Sequence, residues 1–203
     1  MYRLSIFVAT AILAVGISPA LSRDLTDGLV AYYPFDGDAS DMSGHGNHGE
    51  PSAGTTPTTD RFGNPNSAYY FNGINSHITV PGSSSLDSAD TASTQFAWIQ
   101  LDGFSQVGSS FGPVLMKSTS TTNSFMYRLN VGTNGFGVTY GNWDNSAGGT
   151  YAVELGTWFR VAAAWDGSTV RFYVDGDLIA EPAITATLSQ DGRPLVIGGD
   201  YPG

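Results

Sequence analysis

The sequence has no cysteine and few basic residues, and each shortage excludes a class of chemistry. Without cysteine among its 203 residues, the chain cannot form disulfides, a thiolate nucleophile or a cysteine-ligated metal site. Lysine and arginine number 8 against 18 acidic residues, for a formal net charge of −10. Nucleic-acid binding needs clustered basic side chains, so we exclude nucleic acid as a partner. The same charge argues against anchoring on an anionic membrane surface.

Segments with helical periodicity are also scarce, whereas turn-forming residues are abundant. The 26 glycines are spread along the chain together with Asn, Asp, Ser and Thr. This composition is typical of many short strands joined by tight turns. A hydrophobic share of 41% over this length is enough for one sizeable core. We find no linker in the chain and therefore predict a single all-β domain.

The N-terminus has the pattern of an export signal. Arg3 is followed by an apolar run over residues 4–17, and the small residues Ala20 and Ser22 follow shortly after it. A short basic start, an apolar stretch below the length of a membrane span and a small-x-small step are typical of a signal peptide. We predict a signal peptide over residues 1–22, with an uncleaved membrane anchor as the alternative. The mature chain, with no membrane span, is then secreted, periplasmic or on the cell surface.

Period-two alternation of apolar and polar residues predicts strands along the rest of the chain. In residues 158–165, Phe159, Val161, Ala163 and Trp165 alternate with the other residues. This pattern is typical of an antiparallel sheet with one face on a core. We expect further strands at 29–35, 67–71, 77–80, 95–101, 113–118, 125–131, 136–140, 169–174, 177–180 and 194–198. The tryptophans within these stretches, Trp98, Trp158 and Trp165, are predicted to be core residues.

Residues 36–49 contain almost no apolar side chain and are predicted to be a loop. Asp36, Asp38 and Asp41 lie within six residues of each other in this glycine-rich stretch. Calcium takes six to eight oxygen ligands, and three carboxylates this close repel one another without a cation. We therefore predict a structural calcium ion held by these three residues. The alternative is that they cap turns by accepting hydrogen bonds from nearby amides.

A second polar stretch combines aromatic and hydrogen-bonding side chains. Tyr140, Asn142, Trp143 and Asp144 stand together in the segment YGNWDN. Sugar rings stack on aromatic faces, and their hydroxyls form hydrogen bonds with amide groups and donate hydrogen bonds to carboxylates. These four residues are the predicted carbohydrate-binding site. The alternative is a loop tryptophan folded over the edge of the domain.

The sequence was also searched for the paired carboxylates of a glycosidase. A retaining glycosidase needs two carboxyl groups about 5 Å apart, which alternate positions of one strand can supply. The three glutamates, Glu50, Glu154 and Glu181, have no acidic partner at that spacing, and Asp175 and Asp177 straddle a predicted turn. We predict that the chain is not an enzyme.

Four motifs in order give the chain a family resemblance. They are YPFDGDASDMSGHGNHG at 33–49, YYFNGINSHITVP at 69–81, WFRVAAAWDGSTVRFYVDGDLI at 158–179 and PLVIGGD at 194–200. Together they resemble the laminin G-like, concanavalin A-like family, in its bacterial LamG-like jelly-roll branch. The resemblance covers about residues 28–200, and we predict a LamG-like jelly-roll domain over residues 28–203. It implies a two-sheet antiparallel β-sandwich of jelly-roll form, often with bound calcium.

The resemblance also implies one element that the sequence does not contain. Domains of this family usually continue from the PLxIGG strand into a closing strand of the type IDEVxIY, whereas the sequence stops at Gly203. We expect a fragment of a longer protein with the last strand missing, and hence an open sheet edge. Because family members bind different ligands, function must be argued from the site. We predict a carbohydrate-binding module, with a protein-binding adhesion or structural domain as the alternative and part of a glycan-degrading enzyme as a second alternative.

Overall fold

The computed structural model describes residues 2–9, 26–87, 91–103, 111–118, 125–132, 135–188 and 192–199. These residues form two antiparallel sheets packed face to face, which confirms the predicted all-β sandwich. The strands are β1 (Tyr2–Ala9), β2 (Ala31–Tyr33), β3 (Glu50–Pro51), β4 (Thr55–Thr58), β5 (Ala68–Phe71), β6 (Ile78–Val80), β7 (Ser93–Leu101), β8 (Phe111–Ser118), β9 (Phe125–Gly132), β10 (Gly135–Gly141), β11 (Ser146–Thr150), β12 (Trp158–Trp165), β13 (Val170–Val174), β14 (Asp177–Ala180) and β15 (Leu195–Ile197). Two short helical turns, α1 (Ser84–Asp87) and η1 (Trp143–Asn145), complete the described elements.

The two sheets divide the strands almost equally. The first sheet has the order β14-β13-β12-β7-β1-β5-β4, with β2 also paired to β1. The second sheet has the order β11-β10-β9-β8-β15-β6-β3. The core lies between them, because alternate residues of facing strands point inward from both sheets.

The predicted alternation is confirmed most clearly in β7 and β12, where every second residue is buried. Trp165 is 3% exposed and lies in the core as predicted, and its indole Nε1–H donates to Ile184 O at 2.9 Å. The prediction for Trp98 and Trp158 is wrong. Both are partly exposed on the outer side of the first sheet, because they occupy positions of the opposite parity to the core residues.

One close approach between the sheets requires a glycine. Gly198 follows β15 with a φ of 78°, in the left-handed region that glycine adopts without strain. A Cβ atom there would lie 2.1 Å from the ring of Phe71 in β5. The IGG segment of the last motif thus lets the second sheet close onto the first.

The position of β1 was not expected from the sequence. Residues 2–9, predicted to belong to a signal peptide, form a strand inside the first sheet, paired with β7 on one side and with β5 and β2 on the other. Residues 10–25, which contain the predicted cleavage site, lie outside the described residues. Within the described ranges, no helix is long and apolar enough to cross a membrane.

Candidate functional site

The acidic loop of residues 36–49 is built around Asp41, which is 6% exposed. Its Oδ1 accepts hydrogen bonds from Tyr32 N at 3.0 Å and Ser43 N at 2.8 Å. Its Oδ2 accepts from Asn47 N at 2.9 Å and Ser43 Oγ at 2.8 Å. Burial raises the pKa of Asp41, but these donors outweigh it and leave the pKa below its usual value. The Asp41 carboxylate is therefore the hub of the loop, meaning the one acceptor that binds backbone N–H groups from several of its parts.

Asp38 and Asp36 lie in different surroundings from Asp41. Asp38 is exposed, and its Oδ1 accepts from Ser40 N at 2.8 Å, an Asx turn. Asp36 is also exposed and accepts from Ser67 Oγ at 3.4 Å. Within the described residues, no three acidic or histidine side chains form a group that could hold a metal. The turn-capping alternative accounts for the hydrogen bonds of Asp38 and Asp41. Calcium stays a prediction drawn from the sequence.

The predicted carbohydrate-binding segment forms the tight turn between β10 and β11. Asn142 caps η1, and its Oδ1 accepts from Asp144 N at 3.0 Å and Asn145 N at 3.2 Å. This cap fixes the backbone of the turn and leaves the side chain of Asp144 exposed. The side chain of Trp143 lies outside the described part of the structure, so its role stays a prediction.

Tyr140 does not join this surface, which corrects the prediction for it. Its side chain is 0% exposed, and its ring stacks on Trp165 with centroids 4.5 Å apart. Its hydroxyl donates to Gln95 Oε1 at 3.1 Å, and burial raises its pKa to about 12. Tyr140 continues the alternation of β10 through Phe136 and Val138, so it faces the core rather than a ligand.

A further group of residues, which the sequence did not single out, lies on the outer side of β9, β10 and β11. We call them the polar face; they are Arg128, Asn130, Gly137, Thr139, Ser146 and Gly148. They adjoin because the strand register pairs Thr139 with Arg128 and with Ser146, and Gly137 with Asn130 and with Gly148. They occupy the positions that alternate with the apolar, core-facing residues of these strands. This alternation could have identified them from the sequence.

Polar contacts hold the polar face together. Arg128 Nε donates to Asn130 Oδ1, and the Thr139 and Ser146 hydroxyls lie 2.9 Å apart. Arg128, Asn130 and Thr139 are 7%, 6% and 1% exposed, whereas Ser146 and Gly148 are exposed. Ser146 directly follows the turn that carries Asp144. A buried polar floor and an exposed rim therefore adjoin the predicted carbohydrate-binding turn.

The outer side of the first sheet carries a different surface, which we call the aromatic face. It consists of Phe62, Phe96, Trp98 and Trp158 with Arg61 and Arg160. The Arg61 guanidinium lies between two rings, with Cζ 4.1 Å from the Phe62 centroid and 4.3 Å from the Trp98 centroid. Phe62 is 71% exposed. Aromatic and arginine side chains together are typical of protein interfaces.

Two of the acidic residues considered for catalysis, Asp175 and Glu181, have contacts of their own in the structure. Asp175 and Asp177 lie on either side of the β13–β14 turn, as predicted, and Asp175 Oδ1 accepts from Arg160 N at 2.8 Å. Glu181 Oε1 lies 2.8 Å from Arg171 Nε. Both Asp175 and Glu181 thus have structural partners.

The two stacked antiparallel sheets define a β-sandwich domain of jelly-roll form. No curated protein sequence matches the chain. The model of the concanavalin A-like lectin/glucanases superfamily matches residues 71–203. The chain belongs to this family, which confirms the resemblance found in the sequence.

Solved structures with the same fold share little sequence with the chain. Domain 4 of an extracellular arabinanase from Geobacillus stearothermophilus, in complex with arabinotriose, is 15% identical with a TM-score of 0.59, covering 86% of this chain and 84% of that one. The receptor-binding domain of botulinum neurotoxin C/D mosaic serotype is 12% identical with a TM-score of 0.61, covering 80% of this chain. Botulinum neurotoxin type C, whose cell entry depends upon interaction with two ganglioside molecules, is 12% identical with a TM-score of 0.51, also covering 80% of this chain. The chain spans about 40% of each toxin chain.

Proposed function

We propose that the protein is a secreted carbohydrate-binding module, without catalytic activity, that binds a glycan at the exposed rim of the polar face and the adjoining turn. One observation carries the proposal: a rim of exposed polar groups at Asp144 and Ser146 continues into a hydrogen-bonded floor at Thr139 and Arg128. Such an arrangement suits a ligand whose surface consists of hydroxyl groups. The arabinotriose complex of one structural neighbour makes short oligosaccharides the first class to test.

The chemistry assigns a separate role to each part of this surface. The Asp144 carboxylate accepts hydrogen bonds from sugar hydroxyls, while the cap at Asn142 holds the turn still. Gly137 and Gly148 pair across β10 and β11 without side chains, which lets a sugar ring approach the backbone. We expect Trp143, the sequence neighbour of Asp144, to provide the aromatic ring on which a sugar stacks.

A glycan screen followed by variants tests the proposal. Purified protein is screened against arabino-oligosaccharides, ganglioside oligosaccharides and bacterial cell-wall glycans, and calorimetry measures the dissociation constant of each ligand. Asp144→Ala should weaken binding by on the order of tenfold or more, since a hydrogen bond to a charged group contributes about 1.5–3 kcal/mol. Trp143→Ala should weaken binding by on the order of tenfold through the loss of stacking on the sugar ring. Asp177→Ala is the matched control, because Asp177 is equally exposed but lies on the first sheet.

Two outcomes would contradict the proposal. One is a folded protein that binds no glycan in the screen. The other is a glycan that binds the Asp144→Ala and Trp143→Ala variants as tightly as the unchanged protein. Release of reducing sugar from any polysaccharide by the purified protein would instead support the glycan-degrading alternative.

The aromatic face favours a second candidate function, binding to an extracellular protein. Phe62 is exposed at 71%, and the cations Arg61 and Arg160 lie beside Trp98. Tryptophan and arginine are the side chains that most often dominate protein-binding energetics. Surface plasmon resonance against purified matrix proteins tests this candidate. Phe62→Ser should abolish binding, and Ile74→Ser, at a side chain 81% exposed in the β5–β6 turn, is the control.

A further inference from the structure

The most unusual feature of the first sheet is that one of its interior strands comes from the segment with the pattern of a signal peptide. All eight residues of β1 pair with β7, while Tyr2–Leu4 pair with β5 and Ile6–Val8 pair with β2. A segment that is cut from an exported chain is not a permanent part of its sheet. We propose that the position of β1 is an exchangeable strand site, which residues 2–9 fill in the uncleaved chain and continue to occupy, reversibly, after the chain is cut. The proposal does not depend on glycan binding.

Removal of β1 would leave a slot with two facing strand edges. Neighbouring strands lie about 4.8 Å apart, so β7 and the β5–β2 side would be separated by about 9.6 Å. This gap is too wide for direct hydrogen bonds and has the width of one strand. Both edges would then present backbone N–H and C=O groups without the partners that β1 provides, which is the condition under which a sheet takes up an added strand.

Contacts that do not involve β1 hold the two sides of the slot in place. Arg61 belongs to the β4–β5 hairpin on one side, yet its Cζ lies 4.3 Å from the ring of Trp98 in β7 on the other. Phe71 of β5 packs against Gly198 of the second sheet, and Ile99 of β7 is buried in the same core. Because both edges are anchored elsewhere, the slot keeps the width of one strand.

The register defines which segment fits the slot. Tyr2, Leu4 and Ile6 hold the register positions opposite Leu101, Ile99 and Ala97, which are all buried. The slot therefore favours an extended segment, antiparallel to β7, with an apolar residue at every second position. Residues 2–9 meet this requirement and are the occupant we assign.

The test cuts the full chain after it has folded. A site-specific protease sequence is inserted between Gly16 and Ile17, the protein is produced without export, and the folded protein is cleaved. The N-terminal fragment should co-elute with the body of the protein on gel filtration and dissociate only in mild denaturant. A labelled peptide of residues 2–9 should then bind the body saturably at one to one. The same peptide with Ile6→Pro, which lacks one backbone donor and disfavours the ladder, should bind on the order of tenfold more weakly or worse.

If the cut protein unfolds, two variants of the intact chain still test the proposal. Ile6→Pro in the intact chain should lower the melting temperature, whereas Ala14→Pro, outside the paired stretch of residues 2–9, should leave it unchanged. The proposal is overturned if the cut fragment leaves while the body keeps its melting temperature. It is also overturned if the Ile6→Pro peptide binds as well as the unchanged peptide, or if Ile6→Pro and Ala14→Pro have equal effects in the intact chain.

Discussion

The Arg61 guanidinium, in the connection between β4 and β5, lies 4.3 Å above the ring of Trp98 in β7, although neither β4 nor β5 pairs with β7. The same guanidinium is covered on its other side by Phe62, whose ring centroid lies 4.1 Å from Cζ. A cation between two rings is favourable because each ring presents a negative face. This contact ties the β4–β5 hairpin to β7 on the outer side of the sandwich.

Loss of this cation should weaken the domain and alter the surroundings of Trp98. We expect Arg61→Ala to lower the free energy of unfolding by about 0.5–2 kcal/mol. Urea unfolding followed by tryptophan fluorescence measures both the stability and the emission of the folded state. Arg171→Ala is the control: its guanidinium pairs with Asp166 and Glu181 at the surface, so we expect a loss below about 1 kcal/mol and unchanged emission. Equal effects of the two variants would contradict the role given to Arg61.

The hub of the acidic loop should be far more sensitive than its exposed neighbours. Asp41→Ala removes the acceptor for three backbone N–H groups, so we expect a loss of about 3 kcal/mol or more. Asp38→Ala removes one exposed Asx bond and should cost less than about 1 kcal/mol. Thermal unfolding of both variants measures the difference. Similar losses would mean that Asp41 does not hold the loop.

The same carboxylate should contribute to acid unfolding. The pKa of Asp41 lies below its ordinary 3.8, because the N–H donors outweigh the raising effect of burial. A lowered folded-state pKa means that the stabilisation is complete above the unfolded-state pKa and is lost as the pH falls through the folded-state value. Asp166, whose pKa is lowered to about 2 by hydrogen bonds from Ser168 and Thr169, adds to this effect.

We therefore expect stability to be flat from neutral pH to about pH 4 and to fall below it. In Asp41→Asn the fall should be shallower, because one of the titrating groups is gone. Urea midpoints between pH 7 and pH 2 check this. If the stability of Asp41→Asn fell more steeply with acid than that of the unchanged protein, the lowered pKa assigned to Asp41 would be contradicted.

A buried ion pair joins β8 to α1. Lys117, the single lysine of the chain, is 0% exposed, and its Nζ lies 2.9 Å from Asp87 Oδ1. It also donates to the carbonyl of Arg193, while Gly192 N donates to Asp87 Oδ2 at 3.1 Å. The pair therefore fastens the segment before β15 to the second sheet.

Breaking one half of this pair should cost more than replacing both halves. Lys117→Met leaves Asp87 without its cation, and we expect a loss of about 3–5 kcal/mol. The double variant Lys117→Met, Asp87→Leu should recover much of that stability, since two apolar side chains need no partner. Chemical unfolding of Lys117→Met, of Asp87→Leu and of the double variant gives the double-mutant cycle for this pair. A double variant no more stable than Lys117→Met would contradict this account.

Calcium provides a separate test of the acidic loop. If Asp41 only caps turns, the melting temperature should be the same in millimolar calcium and in EDTA. A calcium ion held in the folded state would instead raise stability by about 2.7 kcal/mol at a hundredfold excess over its dissociation constant. A calcium-dependent rise that disappears in Asp36→Ala, Asp38→Ala would support the site predicted from the sequence.

The sequence by itself determined the sandwich and most of its strands, because period-two alternation is a local property. The buried row of Phe159, Val161, Ala163 and Trp165 follows from that alternation alone. The family assignment likewise rested on ordered local motifs and is confirmed by the match over residues 71–203. The loop at 36–49 was predictable because almost nothing in it can enter a core.

The tertiary structure decided which side of each strand faces the core, and with it the candidate surfaces. Trp98 and Tyr140 are both aromatic residues in or beside strands, yet Trp98 lies outside and Tyr140 inside, because parity relative to the core settles the matter. The adjacency of Thr139 to both Arg128 and Ser146 depends on strand register, which no single segment encodes. The place of β1 between β7 and β5 depends on pairings with strands 65 to 99 residues further along the chain, and no local sequence signal predicts pairings over such a distance.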